Sequence, residues 1–268
     1  MYPDQSTRSY TQLVSLEGRR VVVTGGAAGL GRQIAARLIE AGARVVIADL
    51  DLEAAQQAAE ELGSAAPGRA FGAHVDVADY ASVDALGDRA TDVLGGIDAW
   101  VNNAGVYPRG SILDIEPATW RKVMAINLDG AYYGSRVAAQ RMVESGVEGV
   151  IVNMVSTSAF DAANGANGAH YVASKHGVAG LTKSISVQLA PHGIRAIAVA
   201  PTLSRTPSVQ ADYDAGAGQM LDAYGAGLPS GRLGVPDDVA RVVVFAVSDL
   251  ASFVSGSTLL VDGGDLAR

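Results

Sequence analysis

The sequence predicts an α/β protein, a single domain built on a doubly wound sheet of about seven parallel strands with helices on both faces. Short apolar runs rich in β-branched residues alternate with longer segments of helical periodicity. Those runs are apolar at successive positions, which is typical of parallel strands that are buried on both faces. The chain has 268 residues, of which 49% are hydrophobic, so it is long enough for one large core.

The elements follow one another in a regular order. The first strand, RVVVT, is followed by a glycine cluster and by a helix with Ile34, Leu38 and Ile39 on one face. The same reading predicts strands at residues 20–24, 43–48, 69–75, 97–102, 149–154, 194–200 and 257–261. It predicts helices at residues 31–41, 52–62, 82–94, 117–144, 171–189 and 237–247. Right-handed crossovers between such strands produce the doubly wound arrangement.

Two segments lack this periodicity. Residues 1–15 are polar and predict a flexible N-terminal arm before a domain at 16–268. The segment from about residue 202 to 235 is rich in Gly, Ser, Ala and Tyr, which predicts a mobile lid over a binding site.

Composition and charge exclude several classes of protein. The chain has 20 basic and 28 acidic residues, so its formal net charge is 20 − 28 = −8, which argues against nucleic-acid and anionic-membrane surfaces. It has no cysteine, which excludes disulfides and thiolate chemistry, and its four histidines are scattered, so we predict no metal site. No signal peptide or membrane-spanning run is present, and a cytoplasmic protein is the expectation.

The glycine cluster TGGAAGLG at residues 24–31 predicts a phosphate-binding loop. It follows a strand and opens a helix, whose N-terminal N–H groups attract phosphate. Gly25 would permit the tight turn, Gly29 the close approach of a pyrophosphate, and Gly31 the packing of the helix on the sheet. A glycine-rich turn without a ligand remains the alternative.

Asp49 ends the second strand, 18 residues after Gly31. A carboxylate at this position can accept hydrogen bonds from both hydroxyls of an adenosine ribose and would repel a 2′-phosphate. The positions where a compensating arginine could stand are uncharged, namely Ala27, Ala28 and Leu50. Asp51 is available to cap the next helix, which leaves Asp49 for the ribose. The expected cofactor is therefore NAD rather than NADP.

Tyr171 and Lys175 stand four residues apart and so share one face of a helix. An ammonium beside a phenol should lower the tyrosine pKa from about 10, and such a tyrosine can act as a general acid or base on an alcohol or ketone oxygen. Ser156 and Ser158 follow the fifth strand and could reach the same crevice.

Together these motifs resemble the short-chain dehydrogenase/reductase family in its single-domain form. The glycine loop is followed in order by Asn102-Asn103-Ala104-Gly105, by Asn127, by the serines, by Tyr171-Val172-Ala173-Ser174-Lys175 and by a final Val261-Asp262-Gly263-Gly264. The resemblance runs from about residue 16 to residue 264. It implies one NAD(P)-binding Rossmann domain and a small-molecule alcohol or ketone as substrate.

The resemblance also implies a role for individual residues. The catalytic tetrad would be Asn127, Ser156, Tyr171 and Lys175, with Tyr171 taking the alcohol proton and Asn127 holding a water that links Lys175 to solvent. The residues expected to bind the cofactor are Gly25, Gly29, Leu30, Gly31, Asp49, Asp76, Val77, Asn103, Gly105, Tyr171, Lys175, Ser204 and Thr206.

Two departures from the family pattern bear on the site. The family usually has glycine after the proline at 201, whereas this chain has Thr202. The serine is ambiguous, because the strand register selects Ser156 whereas the usual separation from Tyr171 selects Ser158. We favour Ser156, since a two-residue insertion fits easily in the loop at 161–168.

The expected substrate is a mostly apolar alcohol or ketone. Aromatic and small polar residues predicted to line the pocket are Tyr107, Ser158, Phe160, His170 and Tyr213. A 3-oxoacyl-thioester reductase and a sugar or polyol dehydrogenase of the same family are the alternatives, with a non-catalytic cofactor-binding module from a different class. The resemblance further implies a homotetramer, or a homodimer, formed through the helices at 117–144 and 171–189 and the last strand.

Overall fold

A computed structural model describes residues 4–162 and 168–268. It confirms the predicted fold class, because within these residues seven strands form one parallel sheet in the order β3-β2-β1-β4-β5-β6-β7. The strands are β1 Arg20–Thr24, β2 Arg44–Asp49, β3 Ala70–His74, β4 Ala99–Asn102, β5 Val150–Met154, β6 Arg195–Pro201 and β7 Thr258–Val261.

The helices lie close to the predicted positions, with one difference in the longest. The predicted helix at 117–144 consists of α5 (Pro117–Met124), a π-helical turn (Ala125–Asp129) and α6 (Gly130–Glu144). The other helices are α1 Tyr10–Val14, α2 Gly29–Glu40, α3 Leu52–Gly63, α4 Tyr80–Leu94, α7 Ala169–Leu189, α8 Pro207–Asp212, α9 Gly218–Gly227 and α10 Pro236–Val247. None of the described helices is both long and apolar enough to cross a membrane.

Alternate residues of β1 face opposite layers of helices. Val21 and Val23 pack with Ile34 of α2 and Val243 of α10, whereas Val22 packs on the other face with the layer of α4 and α6. The central strands are therefore buried on both sides, which is why their sequences are apolar at successive positions, whereas the edge strands β3 and β7 are partly exposed.

The strand order reverses at β1, which pairs with β2 on one side and with β4 on the other. In a doubly wound sheet this reversal leaves a crevice at the carboxyl ends of the strands, where ligands bind. The loops after β1, β4 and β5 all open at this edge.

The two segments without periodicity contain short helices. The lid region holds α8, α9 and a π-helical turn, Tyr213–Ala217, between them. In the N-terminal segment, α1 begins at a capping box formed by Ser9 and Gln12, and Arg8 pairs with Asp249. Residues 1–3 of the predicted arm, and the part of the predicted loop insertion at 163–167, lie outside the described residues.

Candidate active site

The glycine loop between β1 and α2 is packed too closely for side chains at Gly25 and Gly31. A Cβ at Gly25 would lie 2.8 Å from Ala104 Cα, and one at Gly31 would lie 2.0 Å from the Gly25 carbonyl oxygen. Gly29 has a φ of 55° and faces open space, with the nearest side-chain atom, on Thr206, 3.9 Å from its Cβ position. The loop thus keeps its backbone exposed at Gly29, where α2 begins.

The N-terminus of α2 has no side-chain cap. Its N-cap residue is Ala28, so the first N–H groups of the helix have no intrahelical or side-chain acceptor. Those groups, together with the helix dipole, form a site suited to a phosphate.

Asn103 ties the glycine loop to the end of β4. Its Nδ2 donates to the carbonyl oxygens of Thr24 and Gly25, both at 2.9 Å. In return, the Thr24 hydroxyl accepts from the backbone N–H groups of Asn103 and Ala104. These bonds fix the distance between the loops after β1 and β4, and so the width of the crevice.

Asp49 stands at the end of β2 on the rim of the crevice. Its Oδ2 accepts from the Ala27 N–H at 3.1 Å, so the carboxylate is oriented by the glycine loop itself. Asp51 caps α3 by accepting from the Ala54 N–H, as predicted. Asp76 and Val77, after β3, line the same end of the crevice.

Two adjoining cavities occupy the carboxyl edge of the sheet. The first, of about 490 Å³, is a cleft lined by the glycine loop, Asp49, Asp76, Val77, Asn103, Gly105 and Lys175. The second, of about 350 Å³, lies between the loop after β5 and the lid. Tyr171, Tyr107 and Thr206 line both cavities, so the two meet at Tyr171.

Tyr171 lies near the start of α7 with its hydroxyl hydrogen-bonded to Ser156. Burial raises the pKa of Tyr171, and the hydrogen bond from Ser156 offsets this only in part. The prediction that Lys175 lowers the pKa of this tyrosine is wrong for the ligand-free protein. The ammonium lies over the ring, with Nζ 5.9 Å from its centroid, and burial dominates.

Lys175 is buried beneath the cleft and donates to the Met154 carbonyl oxygen at 2.8 Å, at the end of β5. Burial lowers the pKa of Lys175 to about 8. The side chain is therefore a cation at neutral pH that is close to its titration range. Two of its three N–H donors remain after the bond to Met154.

Asn127 lies in the π-helical turn that interrupts the long helix. Its side chain is clamped on the backbone of Val106, with Oδ1 accepting from the N–H at 2.8 Å and Nδ2 donating to the carbonyl oxygen at 2.9 Å. Asn127 and Lys175 both lie beside Gly105. A Cβ at Gly105 would be 3.2 Å from Asn127 Oδ1 and 3.6 Å from Lys175 Nζ. Such π-helical turns are frequent at functional sites.

The two candidate serines have different positions. Ser156 is buried, is the N-cap of a short 3₁₀ turn (Thr157–Ala159), and its Oγ accepts from the Ser158 N–H at 3.2 Å. The hydroxyl of Tyr171 bonds to Ser156. Both serines line the second cavity, and Ser158 lies further along the turn.

We expect Ser156→Ala to reduce kcat for alcohol oxidation by about 10- to 100-fold, because the variant removes a hydroxyl that is hydrogen-bonded to Tyr171. Ser158→Ala, which removes a hydroxyl of the same type two residues away, is the matched control and should have the smaller effect. Steady-state kinetics on both purified variants measures this difference. Loss of activity in Ser158→Ala alone would overturn the assignment.

The structure divides the predicted substrate-pocket residues into two groups. Two of them, Tyr107 and Ser158, line the second cavity. The other three do not line it, namely Phe160, His170 and Tyr213. Phe160 is half-exposed outside the cavity, and the Tyr213 hydroxyl bonds Asp222 within the lid.

His170 is buried, not a pocket residue. Its Nδ1 accepts from the Tyr171 N–H at 2.8 Å, while Nε2 has no partner among the described residues. Its ring packs near Gly168 at the start of α7. The short sequence distance between His170 and Tyr171 suggested the pocket, but consecutive residues of a helix point in different directions.

Ser204 and Thr206, two of the residues expected to bind the cofactor, lie after β6. Thr206 is the N-cap of α8 and lines both cavities. Ser204 is buried, and its hydroxyl donates to the Thr202 carbonyl oxygen, so the hydroxyl proton is not available to a ligand.

Three residues that no sequence motif groups line the second cavity together. Thr202, Tyr224 and Asp265 come from the loop after β6, from α9 and from the C-terminal segment. Asp265 follows β7 by four residues, so its place at the carboxyl edge could have been inferred from the topology. Nothing in the local pattern connects it with Tyr224. Within the described ranges, no three His, Cys, Asp or Glu residues are grouped closely enough to hold a metal ion.

Comparisons with known proteins agree with this geometry. The sequence pattern of a family described as "Enoyl-(Acyl carrier protein) reductase" matches residues 25–265. Cis-4-hydroxycyclohexanecarboxylate dehydrogenase of Sinomonas cyclohexanicum is 42% identical over 250 residues, which cover 92% of this chain and 96% of that protein. L-rhamnose 1-dehydrogenase (NAD(P)(+)) of Azotobacter vinelandii is 38% identical over 250 residues, with 92% and 96% coverage.

A solved structure supports the same conclusion. A short-chain type dehydrogenase/reductase from Mycobacterium marinum matches with a TM-score of 0.90 and 32% identity, covering 97% of this chain and 100% of that chain. Fold, site and relatives define an oxidoreductase that acts on CH–OH groups. The chain belongs to the short-chain dehydrogenase/reductase family.

Proposed function

We propose that this protein is an NAD-dependent dehydrogenase that interconverts a secondary alcohol and a ketone, with Tyr171 as the general acid/base. The observation that carries the proposal is the position of Tyr171, which lies where the dinucleotide-sized cleft meets the second cavity and bonds Ser156. A substrate in the second cavity could therefore place its carbinol carbon close to both the Tyr171 hydroxyl and the cleft.

The cleft has the features that a dinucleotide needs. The uncapped N-terminus of α2 and the exposed backbone at Gly29 offer N–H donors for a pyrophosphate. Gly25, Leu30 and Gly31 complete this cradle. Asn103 and Gly105 lie beside the middle of the cleft, and Asp76 and Val77 at the end that would take an adenine.

Asp49 favours NAD over NADP. Its carboxylate is held on the cleft wall by the Ala27 N–H, and it would accept hydrogen bonds from the ribose hydroxyls. A 2′-phosphate would meet this negative charge, and no arginine is among the described residues that line the cleft. Like-charge repulsion without a compensating cation disfavours NADP.

Each residue of the tetrad has a separate task in the proposed oxidation. Bound NAD would supply the hydride acceptor. The Tyr171 oxygen takes the proton of the alcohol, and the Ser156 hydroxyl, bonded to Tyr171, holds the substrate oxygen. In the reverse direction Tyr171 returns the proton to the ketone oxygen.

Lys175 and Asn127 support the proton transfer. The Lys175 ammonium keeps two N–H donors after its bond to Met154, and these can reach a ribose in the cleft. Asn127, clamped on Val106 beside Lys175, is positioned to hold a water that relays the proton to solvent.

A panel of secondary alcohols tests this function. The purified protein is mixed with NAD or NADP, and formation of the reduced cofactor is followed by absorbance. The proposal expects oxidation of at least one neutral secondary alcohol with NAD preferred. Reduction of a 3-oxoacyl thioester with NADPH, and no alcohol oxidation, would instead support the thioester-reductase alternative. Cofactor binding without any turnover would support a non-catalytic module.

We also propose a homotetramer, with a homodimer as the alternative. Large apolar side chains are exposed on the surfaces expected to associate, namely the long helical region, α7 and β7. They are Trp120, Tyr132, Val143, Val187 and Leu260. Exposed apolar groups on such faces are typical of buried interfaces. Light scattering should give four times the 27.4 kDa chain mass, and a monomer mass would contradict the proposal.

A further inference from the structure

The second cavity has a polar end, formed by Thr202, Tyr224 and Asp265. The hydroxyls of Thr202 and Tyr224 both donate to Asp265 Oδ2, at 2.7 Å and 2.8 Å. Asp265 is only 4% exposed, and its Oδ1 accepts from Arg268 at 2.9 Å. The rest of the wall is largely apolar, with Leu203, Val209, Met220, Leu221 and Leu266.

Both hydroxyl protons of this cluster are used within the cluster itself. Each hydroxyl carries one proton and two lone pairs, and both protons point to Asp265. The two hydroxyl oxygens also lie 3.0 Å from each other, but neither has a second proton to donate. The atoms that remain free to bind a ligand are oxygen lone pairs, on the two hydroxyls and on the carboxylate. The polar end thus accepts hydrogen bonds and does not donate them.

The charge of the cavity agrees with this assignment. Burial alone would raise the pKa of Asp265, but hydrogen bonds from Thr202, Tyr224 and Arg268 outweigh it and lower the pKa, so the carboxylate is ionised at neutral pH. Among the described residues that line this cavity, Arg109 is the only basic one, and it pairs with Asp212. A substrate carboxylate would find no free cation there.

Thr202 follows Pro201, the last residue of β6, and its hydroxyl donates to Asp265. The residue at this position therefore contributes a polar group to the cavity.

We propose that Thr202, Tyr224 and Asp265 bind a second hydroxyl group of the substrate, and that the substrate is a neutral diol or polyol. The inference rests on the proposed function, because it places the reacting carbinol at Tyr171. The second hydroxyl donates to the lone pairs of the cluster while the carbon skeleton lies against the apolar wall. A simple alcohol leaves this end unused, and an anionic alcohol is repelled by Asp265.

Matched substrate pairs test the inference in the intact protein with NAD. The pairs are 2-butanol with 2,3-butanediol, and cyclohexanol with 1,4-cyclohexanediol, so that two spacings are sampled. We expect kcat/KM for the better diol to exceed that of its matched mono-alcohol by at least about tenfold, because a site that binds a hydroxyl discriminates against the analogue without it. A ratio close to one for both pairs would overturn the inference.

Variants of the cluster make the test specific. Thr202→Val and Tyr224→Phe each remove a hydroxyl with almost no change in shape, and each should reduce the diol-to-alcohol ratio by about tenfold. Thr202→Ser keeps the hydroxyl and should keep most of the ratio. A purely structural role, in which the cluster only clamps the C-terminal segment to α9, would change both substrates alike and leave the ratio constant.

Asp265→Asn tests the charge. It should raise kcat/KM for 4-hydroxycyclohexanecarboxylate relative to cyclohexanol by about tenfold, because the repulsion between two carboxylates is removed. An unchanged relative rate would contradict the role of Asp265.

Binding separates failure of this inference from failure of the proposed function. Calorimetry with Tyr171→Phe and NAD measures the affinity for the diol and the mono-alcohol without turnover. If the unmutated protein oxidises no alcohol while Tyr171→Phe with NAD binds the diol more tightly than the mono-alcohol, the proposed function is overturned and the hydroxyl-binding role of the cluster is supported. Equal binding of the two would overturn the inference.

Discussion

Tyr171→Phe is expected to reduce kcat for alcohol oxidation by about 10²- to 10⁴-fold. The variant retains the ring, which packs against Tyr107 with centroids 6.5 Å apart, and removes only the hydroxyl that bonds Ser156. Loss of activity would then report loss of the proton acceptor and not a collapse of the cavity. Stopped-flow or steady-state measurement of reduced cofactor gives kcat, and calorimetry checks that NAD still binds.

The pH profile provides a second measurement on the same residue. Burial raises the pKa of Tyr171, so at neutral pH the hydroxyl is protonated in most molecules of the ligand-free protein. The tyrosine accepts a proton only when it has lost its own, so the rate of oxidation should rise with pH. The residual activity of Tyr171→Phe should lack this rise.

Tyr10→Phe is the control for the substitution itself. Tyr10 lies on α1 with 72% of its surface exposed, away from both cavities, and its variant should keep the native kcat and pH profile. Turnover by Tyr171→Phe at the native rate would contradict the proposed mechanism.

Asp49→Ala is expected to reduce the preference for NAD over NADP by about 10- to 100-fold, measured as the ratio of kcat/KM values. A hydrogen bond to a charged group contributes about 1.5–3 kcal/mol, and the ribose hydroxyls would lose this interaction. Removal of the carboxylate also removes its repulsion of a 2′-phosphate, so the efficiency with NADP should rise while that with NAD falls.

Asp51→Ala is the matched control, since it removes a carboxylate two residues away. Asp51 caps α3 through the Ala54 N–H, and loss of such a cap costs about 1 kcal/mol of stability. This variant should therefore melt at a lower temperature yet keep the native cofactor ratio. Equal efficiency with both cofactors in the unmutated protein would refute the role of Asp49.

Much of the fold could be predicted because its signals are local. The apolar run at β1 and the glycines at 25, 29 and 31 identify a strand, a turn and a helix start, and the structure places all three there. Likewise the spacing of Tyr171 and Lys175 already puts both on one face of α7, because side chains four residues apart meet on a helix. Sequence neighbours determine these features, and no distant contact is needed to find them.

Other features of the site depend on distant contacts. Whether Ser156 or Ser158 faces Tyr171 depends on how the turn after β5 packs against α7, and whether Phe160 lines the cavity depends on the same packing. The direction of the Tyr171 pKa shift reverses the expectation from its neighbour Lys175, because burial by the whole fold outweighs one nearby charge.

The sequence by itself determined the doubly wound sheet and the cleft at its carboxyl edge, and it identified the residues that we propose carry the chemistry. These follow from periodicity, turn residues and order along the chain. Only the tertiary structure decided that Thr202, Tyr224 and Asp265 share one end of the substrate cavity, although up to 63 residues separate them. Hydrogen bonds between such residues form only after the sheet and lid bring them together, so no local pattern encodes them.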